Sequence, residues 1–189
     1  MPLEIQRVQA AAHYVISKTD PGQLGYIKLN TVLWYSDLEH YRWHGVSITG
    51  LQQYTRMPQG PVSNDIVRAV GRLTNEGQLE ERLVEMNGFA RREMISVKEP
   101  EISMLTAAQI GILNDSIVAV APLTATQLSS LTHEDPLWKE VQNNWGMSVA
   151  TGSVISRPLA SSRGPSGSIA TSGGAEASAP AAFSRHGSR

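Results

Sequence analysis

Cysteine is absent from this 189-residue chain. That excludes a disulfide frame, a thiol nucleophile and any cysteine-ligated metal site, and it suits a reducing compartment. An excess of charge of either sign is also missing. Sixteen Lys and Arg face seventeen Asp and Glu, for a formal net charge of −1. Nothing in that balance draws the chain to nucleic acid, anionic lipid or acidic substrates in general. No apolar run approaches the ~20 residues of a membrane span. The start, Met1-Pro-Leu-Glu-Ile-Gln-Arg7, lacks the basic and apolar regions of a signal peptide. A soluble, cytoplasmic protein is expected. Gly-rich phosphate loops and nucleophile elbows are lacking too, so no catalytic residues, no cofactor and no enzyme activity are expected.

What is present is concentrated between Tyr26 and Ser63. At 100° per residue, Tyr26, Ile27, Leu29, Val32, Leu33, Trp34, Leu38 and Tyr41 cover a broad arc, with Lys28, Glu39 and Arg42 opposite. This predicts a core helix packed on several sides. Asn30 and Asp37 fall inside the apolar arc, and a carboxylate buried there is costly unless hydrogen-bonded or paired. Asp37 is therefore expected to accept bonds from Tyr54 or from the loop around Gly60. Gly45 suits the left-handed end of that helix, and Val46 to Tyr54 reads as extended or irregular. Met57-Pro-Gln-Gly-Pro-Val62 reads as a rigid loop, with two prolines locking φ.

Elsewhere the order is regular. Residues 3–17 carry apolar residues at helical spacing. Ser63 or a neighbour is expected to cap a third helix that runs through Leu73 and is stopped by Gly77. Runs 79–86 and 91–98, joined around Asn87-Gly88, predict a hairpin. Thr106-Ala-Ala-Gln109 and Thr124-Ala-Thr-Gln127 are capping-box patterns that start two further helices. Pro122 ends the first. The expectation is a mainly α-helical α+β fold: a helical bundle with one β-hairpin, winged-helix-like in its N-terminal half. Order is expected to end near Trp145. About two thirds of the segment from Met147 onward is Ser, Ala, Gly or Pro, too little apolar surface to offset ordering. The domains are thus 1–146 and a disordered low-complexity tail, 147–189.

Asp37, His40 and His44 resemble a ligand set, since i and i+4 histidines can chelate a metal. They do not form His-Glu-x-x-His and no distant further ligand is evident, so no metal is expected and caps or surface are the plainer reading. His133, Glu134 and Asp135 read as a helix C-terminus, where a histidine favours the last carbonyls. A winged helix raises DNA binding, for which Arg68, Arg72, Arg91 and Arg92 could form a small basic face. The overall balance of charge between Tyr26 and Lys98 opposes it.

Three separated motifs then resemble one family. Lys28-Leu29-Asn…Leu33-Trp-Tyr-Ser-Asp37 comes first. Gly45…Ile48-Thr-Gly50…Tyr54…Pro58-Gln-Gly60-Pro61-Val62 follows, and Leu128-Ser-Ser-Leu-Thr-His133…Trp138 is the late signature. Together they look like the SocA-like Panacea antitoxin domain, a phage-associated family that includes GepA-like members. The resemblance covers roughly residues 3–145. Thr31 stands where the family often has lysine, and Gln59 replaces the tyrosine of its Tyr-Gly-Pro. The resemblance implies an antitoxin of a toxin–antitoxin system that binds a co-encoded protein toxin. In at least one member type it also implies an adaptor to a cytoplasmic protease. The family-motif residues are Lys28, Leu29, Leu33, Asp37, Gly45, Gly50, Tyr54, Gly60, Pro61, Val62, His133 and Trp138. Arg56, Gln59, Arg68 and Arg72 are candidate partner contacts. The alternatives are a winged-helix transcriptional regulator and a metal-dependent hydrolase centred on Asp37, His40 and His44.

Overall fold

A computed structural model describes residues 3–86, 88–135, 138–139 and 146–151. The first helix, α1 (Leu3–Lys18), leads through a turn at Asp20–Gln23 into α2 (Tyr26–His44). From Leu29 to Leu38 every residue of α2 is buried, as its nearly continuous apolar surface requires. It packs against α1 and α4 (Ala107–Val120) and against the strand β2 (Gly60–Val62). Gly45 ends it at φ +70°, where its N–H caps the Tyr41 carbonyl. A β-carbon is disfavoured in that conformation.

The stretch after Gly45 holds more regular structure than its composition suggests. Gln53–Met57 forms β1, and the segment expected to be a rigid loop is a tight hairpin in which β1 pairs with β2. Thr55 faces Val62, Arg56 faces Pro61 and Met57 faces Gly60, leaving Pro58 and Gln59 as the turn. Pro61 is tolerated because β2 is an edge strand, where a missing N–H leaves no ladder bond unmade. Gly60 (φ +143°) sits so close to α2 that a β-carbon would lie 3.4 Å from Thr31 Oγ1. That contact is close but ordinary, and it is the positive φ, which L side chains rarely adopt, that favours glycine here.

Ser63 caps α3 (Asn64–Asn75), its hydroxyl accepting from the Asp65 N–H. Ile66, Ala69, Val70 and Leu73 are its buried face. The second hairpin pairs β3 (Leu79–Met86) with β4 (Phe89–Ser96), and Gly88 takes a positive φ of 80° before the return strand. Its return strand starts two residues earlier than the 91–98 expected, since a two-residue loop makes Met86 and Phe89 the closing pair. Both capping boxes form: Thr106 with Gln109 opens α4, and Thr124 with Gln127 opens α5 (Ala125–Glu134).

Regular structure is present beyond the expected boundary at residue 146. Gly146–Ser148 is a strand, β5, which completes the sheet in the order β2-β1-β5, and Val149–Thr151 is a 3₁₀ turn. Met147 (fully buried) lies opposite Tyr54, and Val149 is 2% exposed. The segment's Ser/Gly composition concealed two apolar side chains that fill the core beneath β1. Trp145 and the tail from Gly152 lie outside the described residues. The fold is a mainly helical α+β domain with two small sheets. No single helix among the described residues is long and apolar enough to cross a membrane.

Candidate functional site

Asp37 is the polar centre of α2 and is fully buried. Its carboxylate is received by the segment that follows Gly45. The Thr49 N–H donates to Oδ1 at 2.9 Å, and the Thr49 hydroxyl and Tyr54 hydroxyl both donate to Oδ2, the latter at 2.8 Å. The Tyr54 ring stands edge-on to Trp34 with centroids 5.0 Å apart, which fixes the hydroxyl's approach. Burial is the largest influence on Asp37 and pushes its pKa up to about 6; the bonds from Thr49 and Tyr54 pull it back only in part. Tyr54 is itself pushed up, by burial first and by the Asp37 charge second.

Tyr54 is one of the two donors expected for Asp37, and the other was misplaced. The chain just after Gly60 is held instead by Asn30, two helical turns before Asp37. Asn30 Oδ1 accepts the Ser63 N–H at 2.8 Å, while its Nδ2 donates to the Tyr26 carbonyl at 2.8 Å. The two awkward polar residues of the helix thus divide the work. Asp37 holds the Ile48–Gly50 segment, and Asn30 holds the junction at Ser63 between β2 and α3. Thr49 had no role assigned from sequence. Its signal was its place between Ile48 and Gly50, a β-branched hydroxyl residue where the chain must turn back toward the helix.

Lys28 reaches across to the Ala121 carbonyl (2.7 Å), capping the C-terminus of α4. Its ammonium is held below the usual lysine range by burial and, next, by the Arg91 charge. Leu29 and Leu33 are fully buried beside it.

His40 and His44 lie with ring centroids 4.4 Å apart, yet the Asp37 carboxylate is bonded by Thr49 and Tyr54 and not by either imidazole. His40 Nδ1 is 2.7 Å from the Val46 carbonyl and so carries the proton. Its Nε2 then accepts from the Gln109 amide at 3.4 Å. That amide's oxygen accepts the Thr106 N–H of the capping box. His40 therefore ties the end of α2 to the start of α4, and burial lowers its pKa. Among the described residues, no group of three or more His, Asp or Glu is placed to hold a metal ion.

The late signature docks on the first hairpin. His133 Nε2 lies 3.3 Å from the Pro58 carbonyl, and its ring stacks on Trp138 at 5.2 Å. The Arg56 guanidinium sits 4.9 Å from the Trp138 ring centroid, within cation–π range. Trp138 is 3% exposed. Tyr35 of α2 faces the same end of α5, where burial and then the charges of Asp135 and Glu134 push its hydroxyl pKa up.

Of the candidate partner contacts, Arg56 is half-buried against Trp138 and Gln59 is exposed at the hairpin tip. Arg68 is exposed and pairs with Asp65 at 3.1 Å, and Arg72 is half-buried. Three arginines of the supposed DNA face are engaged with carboxylates: Arg68 with Asp65, Arg91 with Glu93 at 2.6 Å, and Arg92 with Glu81 at 3.1 Å. Such pairing removes the concentrated positive field that phosphate binding needs.

The three motifs, separated in sequence, thus meet in space. Asn30 and Asp37 of the first hold the second, and His133 and Trp138 of the third lie on Pro58 and Arg56. Residues 29–139 match the family described as Antitoxin SocA-like, Panacea domain. Neither the curated proteins nor the solved structures contain a match. With more than half of its length matched, the chain belongs to the SocA-like Panacea domain antitoxin family.

Proposed function

We propose that this chain is the antitoxin of a type II toxin–antitoxin system, a cytoplasmic protein that neutralises a co-encoded protein toxin by direct contact and without catalysis. The observation that carries the reading is family membership over residues 29–139. The geometry is in keeping with it. The polar residues that a catalytic reading would enlist are occupied in bracing the fold: Asp37 by Thr49 and Tyr54, His40 by Val46 and Gln109. Asp37 has no face open to a substrate. Delivery of the toxin to a cytoplasmic protease, an adaptor role, extends the same reading, since an adaptor also works by contact.

The test is to express the protein encoded beside this chain with and without it. Growth arrest that this protein relieves supports the reading, and arrest it fails to relieve refutes it. A salt-titrated shift assay on the upstream DNA addresses the regulator alternative, which the paired arginines disfavour.

A further inference from the structure

Among the described residues, the second hairpin carries a strand edge, along β3, that no further strand pairs with. The register pairs Leu79 with Ser96 through Met86 with Phe89, and the Val97 N–H donates to the Gln78 carbonyl at 3.0 Å. Bonded and non-bonded pairs alternate in an antiparallel ladder. Glu80, Arg82 and Val84 therefore exchange bonds with Ile95, Glu93 and Arg91. The N–H and C=O groups of Leu79, Glu81, Leu83 and Glu85 point away from β4. β4 is held against the body of the protein. His13 of α1 bonds to Ser96 and to the Lys98 carbonyl, Arg91 donates to the Gly22 carbonyl, and Met94 is buried. β3 is the more exposed strand: Glu80, Arg82, Leu83 and Glu85 all face solvent, with Leu83 67% exposed. Among the described residues it has no second strand partner.

An open edge from Glu81 to Glu85 with an exposed leucine at its middle is a template for another strand. We infer that β3 is the toxin-docking edge of this protein, taking up an extended, basic segment of the toxin as a third strand beside β4. The inference rests on the antitoxin reading. Charge selects this occupant. Glu80, Glu81 and Glu85 outnumber Arg82 along β3, and Arg82 already leans on Glu93 at 3.3 Å. Glu81 is engaged by Arg92 and Tyr26, whereas Glu85 is exposed with no ion pair among the described residues. A complementary strand therefore places an apolar side chain beside Leu83 and a lysine or arginine two residues away, beside Glu85.

The same charges work against a second copy of this chain. Because the outward-facing residues are the odd-numbered ones, a twofold pairing must set odd against odd. The registers with the longest overlap then oppose Arg82 to Arg82, or Glu81 to Glu85. Like charges directly across a ladder are destabilising.

The test uses Leu83→Pro in the full chain, with the protein encoded by the adjacent reading frame as the probe. The Leu83 N–H makes no bond within the hairpin, so proline is tolerated there as on any edge, while an incoming strand loses a donor and meets the ring. Circular dichroism and melting of the variant should match wild type. Affinity should fall about tenfold or more, and relief of growth arrest should weaken. Glu85→Lys should weaken binding in a salt-sensitive way. Hydrogen exchange on the wild-type complex should newly protect the Glu81, Leu83 and Glu85 amides. A wild type that relieves arrest while those amides stay unprotected and Leu83→Pro binds normally overturns the docking edge and leaves the antitoxin reading standing. A wild type that fails to relieve arrest overturns the antitoxin reading itself. A wild-type dimer that Leu83→Pro converts to monomer assigns the edge to a second copy and also overturns the proposal.

Discussion

Replacing Asp37 probes the arrangement at its centre, and pH turns the experiment into a test of mechanism. In Asp37→Ala the Thr49 N–H loses its acceptor at a fully buried position, and two hydroxyls must find others. A stranded buried donor costs ~1–3 kcal/mol. The backbone N–H cannot rotate away, so a total of about 2–4 kcal/mol is expected. In a domain of this size that lowers Tm by roughly 5–15 °C. Asp37→Asn keeps an acceptor for the Thr49 N–H and should cost less. Its main value is that it removes the titration. The native pKa is about 6, raised by burial from 3.8. Below pH 3.8 the carboxyl is protonated in both states and its favourable contribution is fully present. Between 3.8 and 6 the unfolded chain ionises first, so stability from this group falls as pH rises. Above 6 the whole cost of ionising in the core, ~3 kcal/mol, is borne by the fold. Asparagine has no such dependence. Urea melts of wild type and Asp37→Asn at pH 7 and pH 4.5 should therefore show the wild type's advantage widening as pH is lowered. Other carboxylates cancel in the difference. An advantage that shrinks on acidification would mean that the three donors outweigh burial, and would refute this account of the socket.

Three further outcomes follow from the packing. Ending the chain at Thr151 should leave Tm unchanged, whereas ending it at Trp145 removes Met147 and Val149 and should cost about 3–5 kcal/mol by chemical denaturation. Trp138→Ala should destabilise by ~3–5 kcal/mol, since the ring supports both His133 and Arg56; Arg56→Ala should lose only part of that, again by melts. His40, whose pKa burial lowers, is neutral in the fold while the unfolded chain protonates near 6.5. Its contribution is present above that value and lost as pH falls below it, so a His40→Gln variant should show a flatter stability profile between pH 7 and pH 5.5. A profile as steep as wild type would place the acid sensitivity elsewhere.

The helices were legible in the sequence because their signals are local. Ser63, Thr106 and Thr124 cap where they stand, and Gly45 ends α2 by its own backbone angle. So was the cost of burying Asp37, which periodicity alone places in the core. Its partners were less so. Thr49 comes twelve residues later, and only the tertiary turn decides whether it or Gly60 faces the carboxylate. β1, β2 and β5 were missed for a related reason. Each is short, β2 contains a proline, and the pairing that defines them joins Gln53–Thr55 to residues near position 147. The surface was the least legible part. Arg56 reads as an exposed cation in the sequence, but Trp138 gives it a face to lie on. The open edge of β3 depends on where α1 puts His13. Such relations exist only once the chain has folded.

The central claim is that this protein acts by binding, and stoichiometry tests it most directly. The purified adjacent-frame protein, assayed for its inhibitory effect in a cell-free translation or replication extract, should be titrated with this chain. The account predicts that inhibition is relieved in proportion to the amount added, is complete only near one equivalent, and does not improve with longer incubation. Full relief by a small fraction of an equivalent, growing with time, would show turnover and contradict it.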